Sequence, residues 1–323
     1  MSFWKNKKTV VAGGAGFIGS YLVEELVEEG ASVTVVDNME KGNLDNLASV
    51  LGVVKLVQAD LRDRHVCEEV CEGAEIVMNL AARAYGLEYS NAHHGEMLTA
   101  NALVGLNLLE AARINDVERF LAVSSSCVYS DDAFVPTPED QSSTRLPEEA
   151  NQGYGWAKRI LELQAMYYAR EYGMQIAIAR PFNAYGPRDS WVGEKSHVIP
   201  ALIKKLLHEG EEIVVWGSGK QQRSFVHGRD VAVAMKLLTE RYAVGDPVNI
   251  GDDQDISIKD LVFRLIRILG VEKKVVFDTS RPEGSSRKSA NMDKLRKVVG
   301  EGWPSVSLDL GLKEMADSYR QAG

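Results

Sequence analysis

Three cysteines are too few for a disulfide framework, and Met1–Lys8 lacks the apolar core of a secretory leader, so a reducing cytoplasm is the expected compartment. No apolar run reaches the ~18–20 residues that a membrane span needs, and no membrane partner is expected. Positive charge is scarce: 37 Lys and Arg stand against 46 Asp and Glu, a formal net charge of −9 without a long basic stripe. That balance argues against nucleic acid, whose binding depends on neutralising phosphates. Cys67 and Cys71, beside His65, lack the further ligands that a metal site would require, so no metal is expected. Repeats and low-complexity tracts are also missing. What remains is 323 residues, 45% hydrophobic and 26% charged, ordinary values for one large α/β domain or two closely packed lobes.

Short apolar runs alternate with amphipathic stretches through the first half. Residues 9–12, 32–36, 55–59, 76–80, 120–124 and 175–179 read as strands. Residues 17–29, 63–72, 98–114 and 155–172 carry helical spacing between them. Strands joined by helical crossovers predict an α/β, Rossmann-type, doubly wound parallel sheet. Beyond Arg180-Pro181 the elements shorten, predicting a smaller mixed α/β C-terminal lobe. The expected division is 1–183 with a returning segment at about 226–250 for a dinucleotide, and 184–225 with 251–323 for a substrate.

Gly13, Gly16 and Gly19, with Phe17 and Ile18, lie between the first strand and the first helix. Such a turn lets backbone approach a pyrophosphate while the helix N-terminus faces the anion with free N–H groups. Asp37 ends the second strand 18 residues after Gly19, where a carboxylate accepts both ribose hydroxyls and repels a 2′-phosphate. NAD is favoured over NADP on that ground. Asp60 suits either an adenine amino group or a helix cap.

Tyr154 and Lys158 stand at i and i+4 on one helix face. A neighbouring cation lowers a phenol pKa and makes it a proton carrier for a hydroxyl being oxidised. Ser124-Ser125-Ser126-Cys127 follows the fifth strand, and continued strand alternation would put Ser125 and Cys127 on one face.

The glycine spacing, Asp37, Asp60, Leu80-Ala81-Ala82, the serine run, Tyr154/Lys158 and Arg180-Pro181-Phe182-Asn183 together resemble the extended short-chain dehydrogenase/reductases, within them the nucleotide-sugar epimerase/dehydratase branch. The resemblance covers nearly the whole chain. It implies Tyr154 as base, Lys158 as its partner and nicotinamide-ribose ligand, Ser125 as a second hydroxyl contact, and hydride exchange at the hexose C4. It further implies coenzyme contacts at Asn38, Leu61 and Pro181, and a homodimer through helices 98–114 and 155–172.

Two subfamilies share the finer features. Ser125-Ser126-Cys127-Val128-Tyr129 resembles a segment of both GDP-mannose 3,5-epimerases and GDP-fucose synthases, whose cysteine exchanges protons beside a C4 ketone. His197 lies in a stretch similar to the acid histidine of the synthases, and Glu194-Lys195 in one similar to the acid lysine of the epimerases. Trp216, Arg223 and Arg287, the last preceded by Arg281-Pro282-Glu283-Gly284, resemble the synthases' nucleotide-binding stretches. Guanidinium forks suit a diphosphate, Trp216 suits a base or a core, and Asn183 suits a sugar hydroxyl or diphosphate oxygen. Fucose synthases resemble NADPH users that deliver a net hydride, whereas Asp37-Asn38 suits tightly bound, recycled NAD. The expectation is therefore an NAD-dependent epimerase working through a transient C4-keto hexose, best matched to C3/C5 epimerisation of a GDP-mannose-like substrate. The alternatives are a 4-keto-sugar epimerase/reductase, a C4 epimerase in which Cys127 is a wall residue, and a non-catalytic dinucleotide sensor.

Overall fold

The computed structural model describes residues 2–191, 196–280, 285–300 and 302–322. The chain begins β1 (Lys8–Ala12), α1 (Phe17–Glu28), β2 (Ser32–Asp37), β3 (Lys55–Gln58), α2 (Arg64–Cys71), β4 (Ile76–Asn79), α3 (Leu87–Ala92), α4 (His94–Ile114) and β5 (Arg119–Val123). It continues α5 (Gln152–Tyr172), β6 (Gln175–Pro181), β7 (Ala184–Tyr185), α6 (Val198–His208), β8 (Glu212–Trp216), β9 (Gln222–Ser224), β10 (Val226–His227), α7 (Gly228–Arg241) and β11 (Val244–Ile250). The last elements are β12 (Asp255–Ser257), α8 (Ile258–Leu269), β13 (Lys274–Asp278), β14 (Arg287–Lys288), α9 (Asp293–Val299) and α10 (Leu308–Ala322).

The main sheet has seven strands in the order β11-β6-β5-β4-β1-β2-β3, and every pairing is parallel. Both of its faces are covered, which is why its strands read as near-continuous apolar runs. Val11, Val35, Met78 and Leu121 face α1 and α7 in one core. Val10, Val36, Val77, Phe120 and Ile178 face α2, α4 and α5 in the other. Chain order reverses between β1 and β4, so a crevice opens at the carboxyl ends of these two strands. The seventh strand, β11, is absent from the sequence reading because Gly245 and Pro247 interrupt it; its register with β6 shifts between Val244 and Pro247.

A third core, built from Tyr185, Ile203, Ile213, Val215, Leu261, Leu265 and Leu312, serves α6, α8, α10 and the short strands around them. These strands form three small sheets, β7 with β10, β8 with β13, and β12-β9-β14.

Candidate active site

The glycine turn sits at the head of the crevice. Gly13 adopts φ +75°, and a Cβ there would lie 2.7 Å from the Ala81 amide nitrogen. A Cβ on Gly19 would fall 2.1 Å from the Gly13 carbonyl oxygen, so only glycine lets α1 begin directly against the turn. Gly16 caps α1 without a side-chain hydrogen bond, and the first turn, which includes Phe17 and Ile18, has no acidic residue. The leading N–H groups of the helix are thus left to an anion.

Asp37 is 8% exposed. Its Oδ2 accepts from the Ala15 amide at 3.1 Å and its Oδ1 from Met39 at 2.9 Å. Burial pushes the carboxyl up, and these two amides pull it back. Each oxygen keeps a further lone pair for a hydroxyl. Asn38 Oδ1 accepts from Glu40 N at 3.0 Å and shapes the adjacent loop. Leu80, Ala81 and Ala82 leave β4 beside Gly13, and Pro181 closes β6 opposite Ile250. The ring of turn, helix terminus and carboxylate fits a dinucleotide. The Asp60 carboxylate accepts from Arg62 Nε at 3.0 Å, and the capping of α2 falls to Asp63. Leu61 is buried, its carbonyl accepting the Cys67 thiol at 3.1 Å.

The reactive groups gather where β5 ends. Ser125 Oγ accepts from the Cys127 amide at 3.2 Å and caps a 3-10 turn over Ser126–Val128. This corrects the expected strand alternation, because the capped turn wins over continued extension. A Cβ on Gly155 would lie 2.5 Å from the Cys127 carbonyl oxygen, so the turn rests directly on α5, one residue beyond Tyr154. Ser125 acts on the Tyr154 hydroxyl and favours its ionised form. Lys158, 4% exposed, donates from Nζ to the Val123 carbonyl at 2.8 Å, with Nζ 5.4 Å from the Tyr154 ring centre.

Burial pushes the Tyr154 phenol up and brings the Lys158 ammonium down to about 8. The group that draws the phenol back is Ser125 rather than the expected Lys158. Burial likewise pushes the Cys127 thiol up to about 12, with Lys288 opposing. Burial thus favours the thiol form of Cys127 over the thiolate.

Two residues beside Cys127 escaped that reading. Glu148 raises the thiol pKa, and Lys288 opposes it. Lys288 Nζ lies 3.0 and 3.1 Å from the two Glu148 oxygens. Arg223 faces Glu148 and Asp255, and burial pushes its guanidinium down. Asn183, at φ +29°, spends its amide on the Ser224 carbonyl at 2.9 Å and the Lys288 carbonyl at 3.5 Å. It thereby ties β9 and β14 together. Arg287 is bound through Nε to Asp255 at 2.5 Å. Trp216 ends β8 with 46% of its surface exposed, which removes the core alternative.

His197 stands at the start of α6 with Nδ1 2.9 Å from Asp189 Oδ2. The Asp189 carboxylate raises the imidazole pKa against burial and against Lys41. Its partners are thus distinct from those around Cys127. Glu194 and Lys195, like Arg281–Gly284, lie outside the described residues. Among the described residues no cluster of metal ligands occurs, and no helix is long and apolar enough to cross a membrane.

The described geometry has close counterparts. GDP-L-fucose synthase 1 of Arabidopsis thaliana is 32% identical over 321 residues, covering 98% of this chain and 94% of that protein. A Streptomyces dTDP-4-dehydro-6-deoxy-D-allose reductase is 30% identical over 98% of this chain and 97% of its own length. The crystal structure of a UDP-glucose 4-epimerase from Thermotoga maritima with UDP-glucose superposes with a TM-score of 0.85 at 30% identity, covering 97% of this chain and 99% of that one. The sequence pattern of the NAD dependent epimerase/dehydratase family matches residues 9–251. With its parallel Rossmann-type sheet and that match, the chain belongs to the NAD-dependent epimerase/dehydratase family, the extended short-chain dehydrogenase/reductases.

Proposed function

We propose that this enzyme epimerises a nucleotide-diphosphate hexose at carbons flanking a transient C4 ketone, with GDP-mannose-like sugars as the first candidates. The observation that carries the reading is the placement of a thiol, Cys127, in the turn capped by Ser125 and seated against Gly155, the residue after Tyr154. NAD, when bound, supplies the hydride acceptor and donor for C4. Gly13, Gly16 and Gly19 would hold its pyrophosphate, with Asp37 on the adenosine ribose and Lys158 on the nicotinamide ribose. Tyr154 takes the proton of the C4 hydroxyl while Ser125 orients that hydroxyl.

A C4 ketone acidifies the C–H bonds at C3 and C5. Cys127 exchanges a proton on one face, and Lys195 or His197 serves the other. Arg223, Arg287 and Lys288 offer charge to the diphosphate, and Trp216 offers a stacking face to the base. In this arrangement residues 1–183 and 226–250 carry the coenzyme, while 184–225 and 251–323 carry the sugar nucleotide.

A second reading, net reduction of a 4-keto sugar, is favoured by the relatives named as a GDP-L-fucose synthase and a 4-dehydro-sugar reductase. Asp37 beside the glycine turn favours retained NAD and the first reading. We also propose a homodimer through α4 and α5. On these helices Leu103, Leu106, Leu163 and Tyr167 are 40%, 37%, 49% and 57% exposed, apolar area that a second copy would cover.

A nucleotide sugar carrying deuterium at C4 separates the readings. Retention of the label at C4 in an epimerised product, with no dinucleotide added, supports recycling. With a 4-keto nucleotide sugar offered instead, turnover only with added NADPH, in proportion to its oxidation, replaces it with net reduction.

A further inference from the structure

The turn that follows β7 holds a buried carboxylate against an open imidazole. Asp189 is 5% exposed, whereas the His197 side chain, at the start of α6, keeps 43% of its surface open. Nδ1 of His197 lies 3.0 and 2.9 Å from the two Asp189 oxygens. Nε2 has no hydrogen-bond partner among the described residues.

The carboxylate is fixed from behind. Its Oδ1 also accepts from the Ser190 amide at 2.7 Å, and the Asp189 amide donates to the Gly186 carbonyl at 3.0 Å. Arg188, the residue before it, turns away to α1, donating to Ser20 Oγ at 3.1 Å and Glu24 Oε1 at 2.7 Å. A Cβ on Gly186 would lie 3.0 Å from the Phe17 ring, so the turn is seated on the first residue of that helix. The helix whose N-terminus lies open to an anion at the head of the crevice therefore also anchors the partner of His197. Ser196 Oγ donates to the Ser190 carbonyl at 3.1 Å and ties the residue before the imidazole back to this turn.

A carboxylate that accepts from one ring nitrogen fixes the ring and directs the other nitrogen outward, and its charge favours the imidazolium. Resting on the reading of proton exchange beside a C4 ketone, we infer that Asp189 is a positioning residue: it holds His197 through Nδ1, presents Nε2 to the crevice and makes the imidazolium the acid of that exchange. The charges facing His197 are Asp189, which favours the imidazolium, and Lys41 of the loop after β2, which opposes it.

In the exchange, the thiolate form of Cys127 takes the proton from the carbon beside the ketone. The C–H pair moves into an enolate and an S–H bond forms. The enolate carbon then takes the Nε2 proton on the other face. A new C–H bond forms, the N–H pair remains on nitrogen, and the ketone returns. Imidazole and thiol regain their starting forms by proton exchange with water.

The test is the pH titration of the His197 Cε1–H signal in protein with labelled histidine, assigned among six histidines by its loss in His197→Gln. Wild-type His197 should titrate above the ordinary value of about 6.5. Asp189→Asn should lower the midpoint by roughly one unit or more, and Asp189→Glu should restore much of it. Lys41→Met should raise it. In D2O, deuterium incorporation into the hexose by Asp189→Asn should fall about tenfold at pH 7.5, because the protonated form is lost at lower pH.

A wild-type midpoint at or below about 6.5 would overturn the inference without any variant having to fold. So would an unchanged midpoint in Asp189→Asn. Failure of the epimerase reading would look different: wild type would exchange no deuterium with any nucleotide hexose while His197 titrates as expected, which would remove the acid role and leave the pairing.

Discussion

Lys158 and Glu162 stand one helical turn apart on the buried face of α5, the ammonium on the Val123 carbonyl and the carboxylate forked by Arg180 at 2.7 and 2.6 Å. Glu162 also receives the Ser124 hydroxyl, one residue before Ser125. The same carboxylate therefore steadies the end of β5 and raises the pKa of Lys158 against burial. Catalytic geometry and core electrostatics share one residue.

The first expectation is a pH limit. Lys158 is charged below about 8 and neutral above it, because burial lowers its pKa from the ordinary lysine value. If the ammonium is needed, kcat/KM falls as pH rises through that value, by about tenfold per unit. A profile flat to pH 10 would contradict the role given to Lys158.

Glu162→Gln should cost stability. It leaves Arg180, 2% exposed, without its charge partner, and breaking such a buried pair costs about 3–5 kcal/mol. Denaturant unfolding would measure the loss. If the variant folds, its alkaline limb should move to lower pH, since a group that raises Lys158 is gone. An unchanged midpoint of unfolding would show that the pair contributes nothing to stability.

Gly19→Ala should disrupt the glycine turn. The added carbon meets main chain, which cannot rotate away, and overpacking of this kind costs about 1–3 kcal/mol or more. NAD affinity measured by calorimetry should fall with thermal stability. A variant that binds NAD normally would mean that the turn adjusts without cost.

Much of this site was legible because its signals are local. The glycine spacing, the carboxylate ending β2 and the i, i+4 pair on α5 each lie within one element or one turn. Glu148 and Lys288 were not legible, since 140 residues separate them in the chain and β14 alone brings them together. The cap suggested for Asp60 falls instead to Asp63, and the Arg62 partner of Asp60 is not announced by its strand position. The change at Ser125 has the same origin. A serine at a strand end can cap a turn, and only the seat offered by Gly155 decides that it does.

Asp37 sets the coenzyme expectation. Purified protein should bind NAD more tightly than NADP, and Asp37→Ala should weaken NAD by roughly 10–100-fold, the scale of losing a charged hydrogen bond. Competitive binding of the two dinucleotides checks it. Tighter binding of NADP by the wild type would favour net reduction.

The most direct measurement is solvent exchange in D2O with GDP-mannose and related nucleotide hexoses, comparing wild type with Cys127→Ser. Proton exchange beside a C4 ketone requires deuterium to enter the hexose ring with wild type, and that incorporation should fall by about 10²–10⁴-fold in Cys127→Ser while hydride transfer at C4 persists. Equal incorporation by both proteins, or epimerised product without deuterium from the wild type, would contradict the role assigned to Cys127 and leave an enzyme that works at C4 alone.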